Sequence, residues 1–154
     1  MWCLTQFAVC TAMRLSEICR IRWDDLDVEG RMVTIRDRKH PRSKIGNDQR
    51  VPLLSGPVTI DGQQVDPLRL ILDQRRDNDC IFPFSPATVS TTFTRGVASC
   101  RTKDLRFHDL RHDGISRLFE AGYDIPRVSL VSWHQDWSML RRYTQIDPAS
   151  LHRA

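Results

Sequence analysis

A histidine and an arginine, His108 and Arg111, stand three positions apart in a segment of helical period. From His108 to Ala121, Leu110, Gly114, Ile115, Leu118, Phe119 and Ala121 fall on one side of a helix, and Asp109, Asp113, Ser116 and Glu120 on the other. His108 and Arg111 lie on the apolar side, one turn apart. A guanidinium taken out of water without a partner costs several kcal/mol, so Arg111 needs an anion. Two anions fit: a protein carboxylate, with Glu17 the candidate, or a bound phosphate. His112 follows His108 at i+4, a spacing that suits a metal pair. No third ligand is spaced to complete it, so no metal site is assigned. Further along, His134 precedes Tyr143 by nine positions, and Arg141 and Arg142 flank the tyrosine.

The elements that must position these groups are mostly helical. Trp2 to Cys10 is apolar and reads as a core helix, since it lacks the basic leader and cleavage site of a signal peptide. Ser16 to Ile21 reads as a short helix and Trp23-Asp24-Asp25 as a turn. Met32 to Arg36 and Gln49 to Leu53 are β-rich, and Lys39 to Asp48 between them is polar with Pro41 and Gly46. That pattern is a hairpin with a long basic loop. Arg36, Arg38, Lys39, Arg42, Lys44 and Arg50 cluster there, as on a solvated face or on a finger that tracks phosphates. Helices are expected over Pro67 to Arg75, from Ser85-Pro86 toward Cys100, over His108 to Ala121 with Gly122 as the stop, over Ile125 to Trp133, and over Trp137 to Tyr143.

Composition bounds the reading. The 154 residues fit one domain with a real core, and 40% hydrophobic and 27% charged residues are ordinary for a soluble globular chain. No stretch approaches the length of a membrane span, so a membrane partner is not expected. A net charge of +4 permits a polyanionic partner without demanding one. The five cysteines, Cys3, Cys10, Cys19, Cys80 and Cys100, are odd in number and show no CxxC pair. They read as small buried thiols in a reducing cytosol.

Taken together, these segments resemble the boxes of the tyrosine recombinases of phage-integrase type. Thr11-Ala12-Met13-Arg14-Leu15-Ser16-Glu17, followed by Trp23-Asp24-Asp25, is similar to their first arginine box. Val33-Thr34-Ile35, then Lys39, then Gln49-Arg50-Val51-Pro52-Leu53, resembles their lysine-bearing β-hairpin. Leu105-Arg106-Phe107-His108-Asp109-Leu110-Arg111-His112 resembles the HxxR box. Ser132-Trp133-His134 and Arg141-Arg142-Tyr143-Thr144 resemble the last histidine and the nucleophile box. The boxes stand in family order from residue 11 to residue 143, and it is the ordered set that is specific.

The resemblance implies an α+β, mostly helical catalytic domain with a small antiparallel sheet over residues 1–154, without the family's N-terminal DNA-clamping domain. It implies the catalytic set Arg14, Lys39, His108, Arg111, His134 and Tyr143, with Glu17 orienting the site and Arg38, Arg42 and Lys44 binding DNA. Tyr143 is then the nucleophile and makes a 3′-phosphotyrosine. Arg14 and Arg111 clamp the non-bridging oxygens with forked hydrogen bonds. Lys39, preferred over Lys44 for its place near the strand, protonates the leaving 5′-oxygen, while His108 and His134 support proton transfer. No cofactor is implied. Double-stranded DNA is the expected partner, a tetramer on DNA the assembly of the full-length family, and a cytoplasmic, nucleoid-associated location the setting. The eleven residues after Tyr143 are short for the family's C-terminal docking segment. Ala12 and Trp133 stand where the family usually has glycine. A type IB topoisomerase, a non-catalytic DNA-binding remnant and a helical domain with ion pairs alone are the competing readings.

Overall fold

The computed structural model describes residues 2–38 and 45–144. Helix α1 (Trp2–Thr11) and the short α2 (Leu15–Ile18) lead through a 3-10 turn at Trp23–Asp25 into a three-stranded antiparallel sheet. Its strands are β1 (Leu26–Asp27), β2 (Met32–Ile35) and β3 (Gln49–Pro52), in the order β1-β2-β3. A two-stranded ribbon follows, β4 (Thr59–Ile60) and β5 (Gln63–Gln64). Four helices follow, α3 (Pro67–Leu72), α4 (Pro86–Ser99), α5 (Asp109–Glu120) and α6 (Ile125–Ser132), and the last described element is a 3-10 helix at Trp137–Tyr143. This is the mostly helical α+β architecture expected. Among the described residues no helix is long and apolar enough to cross a membrane.

The helix starts follow from their caps. The carboxylate of Asp66 accepts from the Leu68 amide at 3.0 Å, Ser85 Oγ accepts from Thr88 at 3.1 Å, and Asp124 accepts from Arg127 at 3.0 Å. A proline sits in the first turn of each of these helices, where its missing N–H costs nothing. Helix α3 ends at Leu72, short of the Arg75 expected from the pattern. In the sheet, the register pairs Val33 with Val51, Thr34 with Arg50 and Ile35 with Gln49. Period two therefore sends Val33, Ile35 and Val51 into the core.

Phe7 and Phe82, with ring centroids 5.1 Å apart, join α1 to the rest of the core. Helix α1 packs on α5 at unusually close range. A Cβ on Gly114 would lie 2.3 Å from the Val9 carbonyl oxygen and 3.3 Å from Cβ of Ala12, so only glycine allows this approach. The expectation of five buried thiols needs correcting: Cys10 and Cys19 are buried, but Cys100 is exposed at the end of α4, where its helix turns out to solvent.

Candidate active site

The residues of the first arginine box meet those of the HxxR box because α1 lies along α5. At the end of α1 the backbone turns at Ala12, which takes a left-handed φ of 50°, and Arg14 emerges just before α2. Helix α6 ends in the same way at Trp133, with φ 57°, and His134 follows. These are the two positions where the resemblance expected glycine. Both bends require the left-handed region that glycine enters freely and other residues enter at a cost of about 1–3 kcal/mol. Ala12 is fully buried and Trp133 lies beside the Arg38 guanidinium, 5.9 Å from ring centroid to Cζ, so packing holds both strained bends in place.

Arg111 bridges the two bends. It is 3% exposed and donates from Nη1 to the Ala12 carbonyl and from Nη2 to the Ser132 carbonyl, the latter at 2.6 Å. Glu17 is not its ion-pair partner. Among the described residues no carboxylate lies within ion-pair distance of Arg111. Burial first, and then the charge of Arg14, pull the guanidinium down to about 10, which still leaves it charged at neutral pH. The positive charge is thus built into the core and faces a pocket in which, among the described residues, no carboxylate is paired with it. That pocket, about 470 Å³, is lined by Arg14, His108, Arg111, His112, Trp133, His134, Gln135, Asp136 and Met139.

Glu17 is paired with Arg14. Its carboxylate accepts from the Arg14 amide at 3.0 Å and from Arg14 Nη1 at 2.8 Å. It also accepts from Arg38 Nε at 3.2 Å and Nη2 at 3.3 Å. The placement of Arg38 corrects its assignment as a DNA-binding residue. Its side chain is fully buried, with a further bond from Nη2 to the Val131 carbonyl at 3.1 Å, so it is not a member of a solvated basic face. Burial raises the carboxyl of Glu17, but the charge of Arg38 and the hydrogen bonds from Arg14 and Arg38 outweigh it and hold the group below the usual range. Two more members of the basic cluster are engaged with carboxylates at the base of the sheet: Arg36 with Asp25 and Arg50 with Asp27, each at 2.6 Å. Lys39, Arg42 and Lys44 lie outside the described residues.

His134 is held by its neighbours. Ser132 Oγ gives its proton to the Val128 carbonyl at 2.8 Å and meets His134 Nδ1 at 2.8 Å. With the hydroxyl proton committed to the carbonyl, Nδ1–H is the donor to Oγ and Nε2 carries the lone pair. Burial, then the charges of Arg111 and Arg14, push His134 down to about 4, so it is neutral at pH 7. His108 is exposed at the mouth of the pocket, and partial desolvation with the charges of His112, Arg111 and Arg14 holds it below its ordinary value.

Tyr143 closes the final 3-10 helix and does not itself line the pocket. Its ring stacks at 6.4 Å on Phe119 and at 5.9 Å on His112, and its hydroxyl meets His112 Nδ1. Desolvation raises the phenol above its ordinary value against the opposing charges of Arg142 and Arg111. The structure therefore brings Arg14, Arg111, His108 and His134 to one pocket and sets Tyr143 one imidazole away. His112 is the member that sequence reasoning missed; its i+4 spacing from His108 was visible but pointed to a metal pair. Among the described residues no group of three or more His, Cys, Asp or Glu side chains is placed to hold a metal.

A family model described as the phage integrase family matches residues 2–150. Among curated proteins the chain is similar to a shufflon-specific DNA recombinase of Escherichia coli, 29% identical over 147 residues, covering 95% of this chain and 35% of the recombinase. Among solved structures it resembles a lambda integrase (75-356) dimer bound to a COC′ core site, with TM-score 0.72, 18% identity, and coverage of 94% of this chain and 53% of that one. It resembles equally a lambda integrase tetramer bound to a Holliday junction, with TM-score 0.70, 20% identity, and coverage of 92% and 41%. The fold is that of tyrosine recombinase catalytic domains, and the chain belongs to the phage integrase family. It spans about a third of the length of that curated relative.

Proposed function

We propose that this chain is the catalytic domain of a site-specific DNA recombinase that cuts and rejoins DNA through Tyr143. The observation that carries the reading is Arg111, a buried guanidinium with no carboxylate partner among the described residues, sharing a pocket with Arg14. Such a pocket suits a phosphodiester, whose non-bridging oxygens gain charge as a nucleophile adds. Two of the five Arg111 donors hold the backbone, and the others remain for the phosphate. The oxygen of Tyr143 attacks phosphorus, the bond to the 5′-oxygen breaks, and a 3′-phosphotyrosine forms. Attack by a 5′-hydroxyl reverses the step and releases Tyr143, so the bond energy is kept. Lys39 gives the proton to the leaving 5′-oxygen. His108 and His134 stand beside the phosphate.

The partner is double-stranded DNA, and the assembly is a tetramer on two duplexes in the cytoplasm. The lambda integrase tetramer bound to a Holliday junction, which shares this fold, supports that assembly. The test uses a duplex chosen from a randomised pool for binding, nicked near the cleavage point so that the covalent product is trapped. The chain should become covalently attached to it, and Tyr143→Phe should bind equally and form no adduct. An adduct of normal yield with Tyr143→Phe would overturn the proposal.

A further inference from the structure

Of the three histidines that line the pocket, one has no task in the scheme above. His112 packs edge-to-face with His108 with ring centroids 5.0 Å apart, and is the residue whose ring nitrogen meets the Tyr143 hydroxyl. We propose that His112 is a catalytic residue whose Nδ1 holds the Tyr143 hydroxyl in place and takes its proton as the oxygen attacks phosphorus. The inference rests on the reading of Tyr143 as the nucleophile.

A phenol attacks poorly until its proton leaves, and desolvation makes that proton harder to lose here. A base in contact with the hydroxyl removes the difficulty, and geometry decides which base it is. His134 has its Nδ1 tied to Ser132. His108 touches the ring of His112 and makes no hydrogen bond to Tyr143 among the described residues. His112 alone of the three makes that bond, and its ring stacks on the phenol at an interplanar angle of 25°. The phenol is the better proton donor and the imidazole lone pair the better acceptor, so the bond runs from Oη–H to Nδ1, with the ring proton on Nε2.

The step balances. The O–H bond of Tyr143 breaks and an N–H bond forms at Nδ1, leaving an imidazolium. The Oη–P bond forms, the P–O5′ bond breaks, and the 5′-oxygen takes its proton from the general acid. On rejoining, the imidazolium returns the proton to the departing phenolate. The groups that face His112 are His108 at the N-cap of α5, Arg111 of α5, Arg14 from the bend after α1, His134 and Asp136 from the connection after α6, and Tyr143.

The experiment measures single-turnover adduct formation on the trapped-nick duplex by the whole chain. His112→Ala should be slower by about 100-fold, the scale of general-base catalysis, and added imidazole should restore part of the rate. His112→Asn keeps an acceptor oxygen near the place of Nδ1 but cannot take a proton, so it should hold the hydroxyl and stay nearly as slow. A wild-type rate in His112→Asn would overturn proton acceptance, and a wild-type rate in His112→Ala would overturn the whole inference. Nitrogen NMR of the unsubstituted protein at pH 8 needs no variant: Nδ1 of His112 should be unprotonated, and a protonated Nδ1 would overturn the proposal. Absence of any adduct from the wild-type chain would overturn the recombinase reading and this inference together, whereas a normal wild-type adduct with an unimpaired His112→Ala would overturn the inference alone.

Discussion

Glu17→Gln removes the carboxylate that, among the described residues, compensates a fully buried guanidinium. Glu17 is 2% exposed and Arg38 0%, so water cannot take over the lost interaction. The carboxylate accepts four hydrogen bonds, two from Arg14 and two from Arg38. The amide offers one acceptor oxygen and turns its NH₂ toward donors. Among the described residues Arg38 Nη1 is already buried without a hydrogen-bond partner, which leaves the guanidinium little else to lean on. Breaking one side of such a pair costs about 3–5 kcal/mol. At roughly 2–4 °C per kcal/mol for a chain of this size, the melting temperature should fall by about 6–20 °C. The loss should depend on pH in one direction. Because the Glu17 carboxyl is held below its usual range, the pair contributes fully above the unfolded carboxyl value of about 4.3 and is lost as pH falls through the lower folded value. Urea melts of both proteins across pH 3 to 8 should therefore show a constant gap above about pH 5 that narrows in acid. Adding Arg38→Met to Glu17→Gln should recover stability, since the stranded charge is gone. A gap below about 1 kcal/mol at pH 7, or one that does not narrow in acid, would refute the reasoning.

Three further outcomes are expected. Gly114→Ala should push α5 off α1 and destabilise by about 1–3 kcal/mol, because its methyl would sit 2.3 Å from the Val9 carbonyl; calorimetry showing an unchanged melting temperature would mean the helices are not so close. In an NMR titration His134 should change charge near pH 4, and because its folded value is depressed, the stability it contributes is full above its ordinary value of 6.5 and declines as pH falls toward 4. A midpoint near its ordinary value would contradict the burial and the charges around it. Lys39→Ala should cleave ordinary DNA very poorly yet recover on DNA with sulfur at the bridging 5′ position, with Arg111→Ala showing much less rescue; rescue of Lys44→Ala instead would move the acid to Lys44.

Local patterns carried most of the fold. Capping residues and prolines marked α3, α4 and α6, and the period of α5 told which side Arg111 occupies. Short strands were harder. Asp61-Gly62 is a strong hairpin turn, and both residues take positive φ, but Thr59-Ile60 and Gln63-Gln64 are too short and too polar for any alternation to show. The site was legible where its residues are neighbours in sequence and obscure where they are not. Arg38 sits in a basic run and reads as solvated; its partners are Glu17, 21 positions back, and Val131, 93 positions on. The bond between His112 and Tyr143 spans 31 positions and depends on how the final 3-10 helix returns across α5. The left-handed bends at Ala12 and Trp133 left no mark in the residue types themselves, which avoid that conformation; the signal lay in the glycines that the resembled boxes carry there.

The two carbonyls held by Arg111 belong to the two bends that shape the pocket, which gives this side chain a second allegiance. On the reading proposed above, a descendant of this protein that had abandoned DNA chemistry would be free to lose the hydroxyl of Tyr143 or the imidazole of His112, whose proposed work begins when a phosphate arrives. It would not be free to lose Arg111, because the ends of α1 and α6 would lose the cross-brace between them. An arginine retained at this position in a relative therefore answers to two demands at once, the brace between the ends of α1 and α6 and the charge of the pocket, and the first would hold it in place even where the second had lapsed.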